Sequence, residues 1–353
     1  MSIFPFVSIV GQYAMRAALC LVAVDPEIGG ILLFGRRGTS KSTAVRGLAE
    51  LLPTLEVPEG CPIQCTPKQT TGLCRVCENG NQPERVETPT PLITLPLGAA
   101  EEAVTGSLDL GRALTEGVRR FEAGCLGRAH RGILYVDEAN LLEDHLVDLL
   151  LDSAASGVNV VEREGISVRH PAHFLLIGSG NPEEGELRPQ FLDRFGLLVQ
   201  VESLSREEDR VEVARRRIHF DRDPKQFVEK VDTETDRLRH AIADARKRVQ
   251  SIELTETDLL LITRAAARLD LEGHRGEIAW ARAARALAAL LGENQVSPAA
   301  LRATAPLATL HRMHRDPLDP TPAQTRVEEV LSDLLPASEA PDLLFSRILE
   351  LRG

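Results

Sequence analysis

The stretch Ile31-Leu-Leu-Phe-Gly-Arg-Arg-Gly-Thr-Ser-Lys-Ser-Thr43 constrains the fold more than any other part of the chain. Ile31 to Phe34 is an apolar run suited to a strand buried on both faces, as in a parallel sheet. A glycine-bearing turn follows, then Lys41, Ser42 and Thr43, then a helical pattern over Ala44 to Leu52. Strand, glycine-rich loop, Lys-Ser and helix make a phosphate-binding P-loop. Loop N–H groups and the positive end of the helix converge on one point and attract an anion. Gly35, Arg36, Arg37, Gly38, Thr39, Ser40, Lys41, Ser42 and Thr43 are the candidate nucleotide contacts. Lys41 would reach the terminal phosphates, and Ser42 would offer its hydroxyl to Mg²⁺. The usual pattern has glycine before the lysine, whereas this chain has Ser40. If that position requires φ > 0, the Cβ costs on the order of 1 kcal/mol.

A second apolar run, Ile133-Leu-Tyr-Val136, ends in Asp137-Glu138. An acidic pair at a strand end, downstream of a P-loop, is the Walker B arrangement. Asp137 would hold Mg²⁺ through water, and Glu138 would polarise the attacking water. A third run, Phe174 to Gly178, leads to Ser179-Gly-Asn-Pro182, where Asn181 can hold that water. Val158 to Val168 alternates around Arg163-Glu-Gly165, which predicts a β-hairpin. Amphipathic spacing predicts a helix over Glu143 to Ser153, and Leu197 to Val201 predicts another strand.

Between 53 and 97 the character changes. Prolines are dense, apolar periodicity is poor, and the chain reads as an insertion carrying Cys61-x3-Cys65-x8-Cys74-x2-Cys77. The spacing admits a tetrahedral zinc site, a redox dithiol, or unligated thiols. A helical stretch is expected at Gly111 to Glu116. Asp221 to Asp236 reads as a polar linker. Beyond it, helices are expected at about 236–249, 256–270, 277–291 and 298–313, with Thr255 and Ser297 as N-caps and Pro298 in the first turn. A further helix spans Ala323 to Leu335, and a short one ends the chain.

Composition excludes some classes. The 353 residues carry a net charge of −11 and no long basic run, which argues against a nucleic-acid partner. No apolar stretch reaches membrane-span length, and Met1 to Val10 lacks the marks of a secretory signal, so a cytoplasmic location is expected.

Strands ending in a P-loop, in Asp-Glu and in Asn, followed by a helical segment, resemble the AAA+ ATPases. The fold class implied is α/β: a P-loop NTPase core with a parallel sheet flanked by helices, plus a C-terminal all-helical lid domain. The core would occupy 1–220, with a Cys/Pro-rich insertion at 53–97, a helix insert at 98–120 and a hairpin insert at 158–170. A linker at 221–235 and the lid at 236–353 would follow. Several stretches narrow the match: FPFVSIVGQ, LPLGAAEEAVTGSLD, RGILYVDEANLLEDHLVDLLLDSAASGVNVVEREG, GSGNPEEGELRPQFLDRFG and HRDPLD. These resemble the ATPase subunit I family of magnesium chelatase. That family's pattern has Asp and Gly where this chain has Arg36 and Ser40; Arg36 would add positive charge near the phosphates.

The resemblance implies ATP and Mg²⁺ as cofactors, Asn181 as sensor 1, Arg194 as an arginine finger acting on a neighbouring subunit, and Arg275 as the sensor 2 arginine. Arg131 ranks below Arg194 for such a role. It implies a homo-oligomeric ring, a hexamer, working with two chelatase partners: a larger AAA+-like component, D, and a porphyrin-binding component, H. The two inserts would project toward those partners. The reaction implied is ATP hydrolysis driving Mg²⁺ insertion into protoporphyrin IX, toward chlorophyll or bacteriochlorophyll. Two other readings are a remodelling ATPase of MoxR or cobaltochelatase type and a non-catalytic ring subunit with a degraded P-loop.

Overall fold

The computed structural model describes residues 2–66, 73, 74, 76, 77, 84–108, 121–163, 166–185, 187, 189–314 and 321–350. Its strands in chain order are β1 Ile31–Phe34, β2 Leu55–Pro58, β3 Arg85–Thr88, β4 Leu92–Leu95, β5 Gly106–Leu108, β6 Phe121–Ala123, β7 Ile133–Val136, β8 Val158–Arg163, β9 Ile166–Pro171, β10 Leu175–Gly180 and β11 Leu197–Gln200. The chain divides into two compact units: Met1–Leu51 with Ser179–Gly353, and Leu52–Gly178.

In the first unit β1 pairs in parallel with β11, Ile31 opposite Leu197. The N–H of Gly35 donates to the carbonyl of Gly180 at 3.0 Å. In the second unit β7 lies between β4 and β10, all parallel, with both Leu92 and Leu175 opposite Ile133. β10, Leu175–Gly180, crosses in sequence the boundary between the two units. β7 and β10 are buried at every position, which is why they read as continuous apolar runs and not as alternation.

β4 corrects the sequence reading, which placed 92–95 inside an insertion. Four residues between Pro91 and Pro96 look like a loop. At the sheet's edge only one side of a strand needs donors, so flanking prolines are tolerated. The insertion is therefore shorter at its C-terminal end, and it carries its own antiparallel pair, β2 with β3.

Helices of the first unit pack about Tyr13–Val24, buried at every position from Met15 onward. It contacts the helices Asp232–Arg248, Arg275–Leu291 and Pro341–Glu350. Arg275–Leu291 packs closely on Pro298–Thr309 and buries alanines 279, 281, 283, 284, 286, 288 and 289. Fully buried Trp280 fixes the pair, its indole N–H donating to Leu301 O at 2.9 Å. Thr255 and Asp258 form a reciprocal capping box, and Ser297 caps the helix that opens with Pro298.

The stretch 221–236, expected as a polar linker, is largely helical. Helix Glu207–Arg222 runs into it, Pro224–Lys230 follows with Asp223 accepting from Gln226 N–H at 3.0 Å, and Asp232–Arg248 begins there. Acidic first turns and four-residue ion pairs such as Arg217–Asp221 support these helices without an apolar stripe. Their apolar anchor is a cluster of Phe4, Phe220 and Phe227, with ring centroids 5.2 to 5.7 Å apart.

In the second unit β8 and β9 form the expected antiparallel hairpin, Val158 opposite Pro171; its turn at 164–165 lies outside the described residues. The short helix Glu101–Thr105 passes into β5, which pairs with β6. Gly106 makes that passage possible: φ is +101°, and a Cβ there would come within 2.6 Å of Glu122 O. The expected helix at 111–116 lies outside the described residues.

Candidate nucleotide-binding site

The P-loop takes the shape its sequence requires. Gly35 is buried, and an added Cβ would stand 2.1 Å from the carbonyl oxygen of Val201, so only glycine fits. Gly38 has φ of +78°. Ser40 adopts φ 67°, ψ 16°, the left-handed conformation that its Cβ disfavours. Thr39 is buried and donates through Oγ1 to Arg36 O at 2.8 Å, closing the loop. Helix Lys41–Ala49 then starts, and the Ser40 side chain makes no cap bond to it. The first N–H groups of a helix lack intrahelical acceptors and suit an anion. Lys41 Nζ folds back over the loop, donating to the carbonyls of Gly35 and Arg36, the latter at 2.8 Å.

β10 delivers Asn181 to the end of the adjacent strand, 3% exposed. Its Oδ1 accepts from Glu183 N–H at 3.2 Å, capping the short turn Pro182–Glu184. The two acids of that turn meet the P-loop arginines. Arg37 pairs with the largely buried Glu184, and Arg36 lies 3.7 Å from Glu183, both exposed. Arg36 therefore stands beside a carboxylate that offsets its charge, a partner missed when the loop is read alone. The adjacent acids after Asn181 were the available signal.

A second group forms around Asp193, next to Arg194 at the end of helix Pro189–Arg194. One carboxylate oxygen of Asp193 accepts from Arg275 and the other from Arg312, each at 3.3 Å. Arg275 opens its helix and is exposed. The Arg312 side chain is 1% exposed and also donates to the carbonyls of Asp193, Phe195, Gly196 and Ala308. Burial lowers its pKa to about 10, against the pull of Asp193, so it stays charged at neutral pH. Arg312 escaped the sequence reading because it sits at a helix end among histidines.

In the second unit Asp137 follows β7, exposed, and accepts from Tyr135 Oη at 2.8 Å. Glu138 has φ 53°, ψ 51°, uncommon for a non-glycine residue. Arg131 also has positive φ, 64°, and its guanidinium donates to the carbonyls of Glu56, Gln64 and Cys65. Cys61, Cys65, Cys74 and Cys77 gather in this unit, all buried.

A parallel sheet with a P-loop, an asparagine one strand away, an Asp-Glu strand end and an arginine-bearing helical region define an AAA+ P-loop ATPase. Residues 259–333 match the AAA lid domain, and residues 110–190 match the family "Magnesium chelatase, subunit ChlI". The chain is 51% identical to the magnesium-chelatase 38 kDa subunit of Acidiphilium rubrum, covering 95% of this chain and 98% of that one. It is 46% identical to magnesium-chelatase subunit ChlI of Cyanophora paradoxa, covering 93% and 96%. A solved structure of the complex between subunits BchI and BchD of magnesium chelatase contains a chain 49% identical to this one, with a TM-score of 0.55 and 94% of this chain covered. The chain belongs to the magnesium-chelatase subunit I family. Among the described residues no helix is long and apolar enough to cross a membrane.

Proposed function

We propose that this chain is the ATP-hydrolysing motor subunit of a magnesium chelatase, driving Mg²⁺ insertion into protoporphyrin IX for chlorophyll or bacteriochlorophyll synthesis. The observation that carries this reading is the P-loop geometry in a chain about half identical to named magnesium-chelatase subunits over nearly its full length. The loop keeps its phosphate-binding shape, with Gly35 sterically obligatory, which disfavours a degraded, non-catalytic ring member.

Each site residue takes a role suited to its chemistry. Lys41 leaves the carbonyls of Gly35 and Arg36 for the terminal phosphates, and the helix N-terminus at Lys41, Ser42 and Thr43 receives the phosphate charge. Ser42 and Asp137 are the hard oxygen donors that suit Mg²⁺, which neutralises phosphate charge when bound. Glu138 polarises the attacking water, and the Asn181 amide helps to orient it. Arg194 acts on ATP held by the neighbouring subunit, and Arg275 exchanges Asp193 for phosphate. Permanently charged guanidinium groups neutralise charge that develops in the transition state.

The working form is a ring, a hexamer, in the cytoplasm, associated with the AAA+-like D component and the porphyrin-binding H component of the chelatase. A complex of subunits BchI and BchD, named in the similar solved structure, supports the first of these partners. ATP turnover measured for the chain alone, and with the two partners, tests the reading. Turnover that rises with assembly and supports metal insertion is expected. ATP binding without turnover under all conditions would overturn it.

A further inference from the structure

The four clustered cysteines have no part in the nucleotide chemistry, yet they come from two arms of the insertion and converge. They are between 1% and 6% exposed. Cys61 Sγ lies 3.7 Å from Cys74 Sγ and 3.6 Å from Cys77 Sγ. The sulfurs of Cys61, Cys65 and Cys77 all lie within 4.8 Å of one another. Cys74 closes on this trio from the Cys61 side.

Those separations carry chemical information. Zinc–thiolate bonds of about 2.3 Å in a tetrahedron place the sulfurs about 3.8 Å apart. Cys61 stands at that spacing from both members of the Cys74-x-x-Cys77 pair. A disulfide would require about 2.05 Å. No histidine or carboxylate joins the trio among the described residues, so the donor set is all sulfur, which suits a soft or borderline cation.

We propose that Cys61, Cys65, Cys74 and Cys77 bind one Zn²⁺ as a closed, structural tetrathiolate site. Binding exchanges four thiol protons for the cation. The product, one Zn²⁺ with four thiolates, carries two net negative charges. The Arg131 guanidinium reaches the carbonyls of Gln64 at 3.2 Å and Cys65 at 3.4 Å, and so orients the first cysteine arm. Each arm turns on a backbone bond at its cysteine: Cys61 N–H to Pro58 O and Cys77 N–H to Cys74 O, both 3.0 Å.

The location gives the site a purpose. The segment has few apolar side chains, so a metal substitutes for the core that it cannot build. The cysteines and Ile63 form one buried cluster with Phe121 of β6, Val161 of β8 and Val168 of β9. The zinc site therefore braces the β5–β6 pair and the β8–β9 hairpin.

The test uses full-length protein purified without chelator. Elemental analysis should find about one zinc per chain, released when the thiols are titrated with a mercurial. Replacement by Co²⁺ should give an intense thiolate-to-cobalt charge-transfer band with tetrahedral d–d absorption. Cys61→Ser and Cys74→Ser should each lose the metal, whereas Cys20→Ala, in the buried helix Tyr13–Val24, should keep it. Wild-type protein with four titratable thiols and no zinc would overturn the proposal. So would bound iron in place of zinc, or a Cys61→Ser/Cys74→Ser double variant that retains zinc. If the cysteine variants fail to fold, the zinc content and cobalt spectrum of the wild type decide the question alone.

Discussion

Arg312 clamps the backbone around Asp193: its Nε binds the carboxylate at 3.3 Å while an Nη binds the residue's own carbonyl at 2.8 Å. Asp193 immediately precedes Arg194, so the clamp fixes the segment that carries Arg194. Arg312→Ala leaves the carbonyls of Asp193, Phe195 and Gly196 without this donor. Stability should fall by about 3 kcal/mol, since each buried acceptor left unpaired costs about 1–3 kcal/mol and partial hydration recovers some of it. Denaturant unfolding of Arg312→Ala and Arg312→Lys checks this. The lysine variant keeps the charge but not the planar fork, so it should recover only part of the loss.

Ser40 sits at φ 67°, a conformation that glycine adopts freely. Ser40→Gly should relieve about 1 kcal/mol of strain. The expected result is tighter ATP binding, several-fold by titration calorimetry, with a small rise in unfolding temperature. An unchanged affinity and turnover would show that the loop accommodates serine.

Parts of the fold were legible because local chemistry and tertiary role agree. β1, β7 and β10 are buried on both faces, and their apolar runs say so. Thr255, Ser297 and Pro298 are cap signals, and they cap. β4 was illegible because an edge strand of four residues between prolines has no pattern of its own. The helices across 221–236 were hidden because ion pairs and three phenylalanines hold them, one of which, Phe4, lies over two hundred residues upstream. In the site, the strand-end residues were readable as motifs. Glu183, Glu184 and Arg312 were not, since each matters through a partner distant in sequence: Arg36, Arg37 and Asp193.

Glu184 offers a test of the loop's electrostatics. Glu184→Gln removes the charge facing Arg37 and leaves that arginine, mostly exposed, next to the phosphate site. The arginine of this pair is exposed while the glutamate is largely buried, and glutamine keeps an acceptor facing Arg37, so folding stability should fall by no more than about 1 kcal/mol. ATP affinity should rise a few-fold at low salt, and the gain should shrink at high salt as screening sets in. Titration calorimetry at two ionic strengths checks both.

Two histidines, buried His130 and half-buried His311, set an acid limit. Burial, aided by His173 and Arg131, lowers His130 to about 4, and burial beside Arg312 lowers His311 to about 3. Both are neutral in the fold and titrate near 6.5 when unfolded. The unfolded chain therefore binds more protons below that value, and stability falls as pH drops from about 6.5 toward 4. His130→Gln should flatten this dependence relative to the wild type. Thermal unfolding between pH 7.5 and 4.5 measures it; identical slopes would remove His130 from the account.

Arg194 ends its helix half-buried, one residue after the clamped Asp193. If it completes a site on the neighbouring subunit, Arg194→Ala should bind ATP with wild-type affinity and lose hydrolysis. The loss should be large, since an arginine finger contributes ~10³ to 10⁵ in rate. Mixing separates this from a local defect. An Arg194→Ala chain keeps its own P-loop, and a Lys41→Ala chain keeps its own arginine. Alone, each should be inactive. Mixed, the two should recover part of the turnover, because an Arg194→Ala P-loop then meets an intact arginine from a Lys41→Ala neighbour. Mixed rings that form yet stay inactive would place Arg194 in a role within its own subunit.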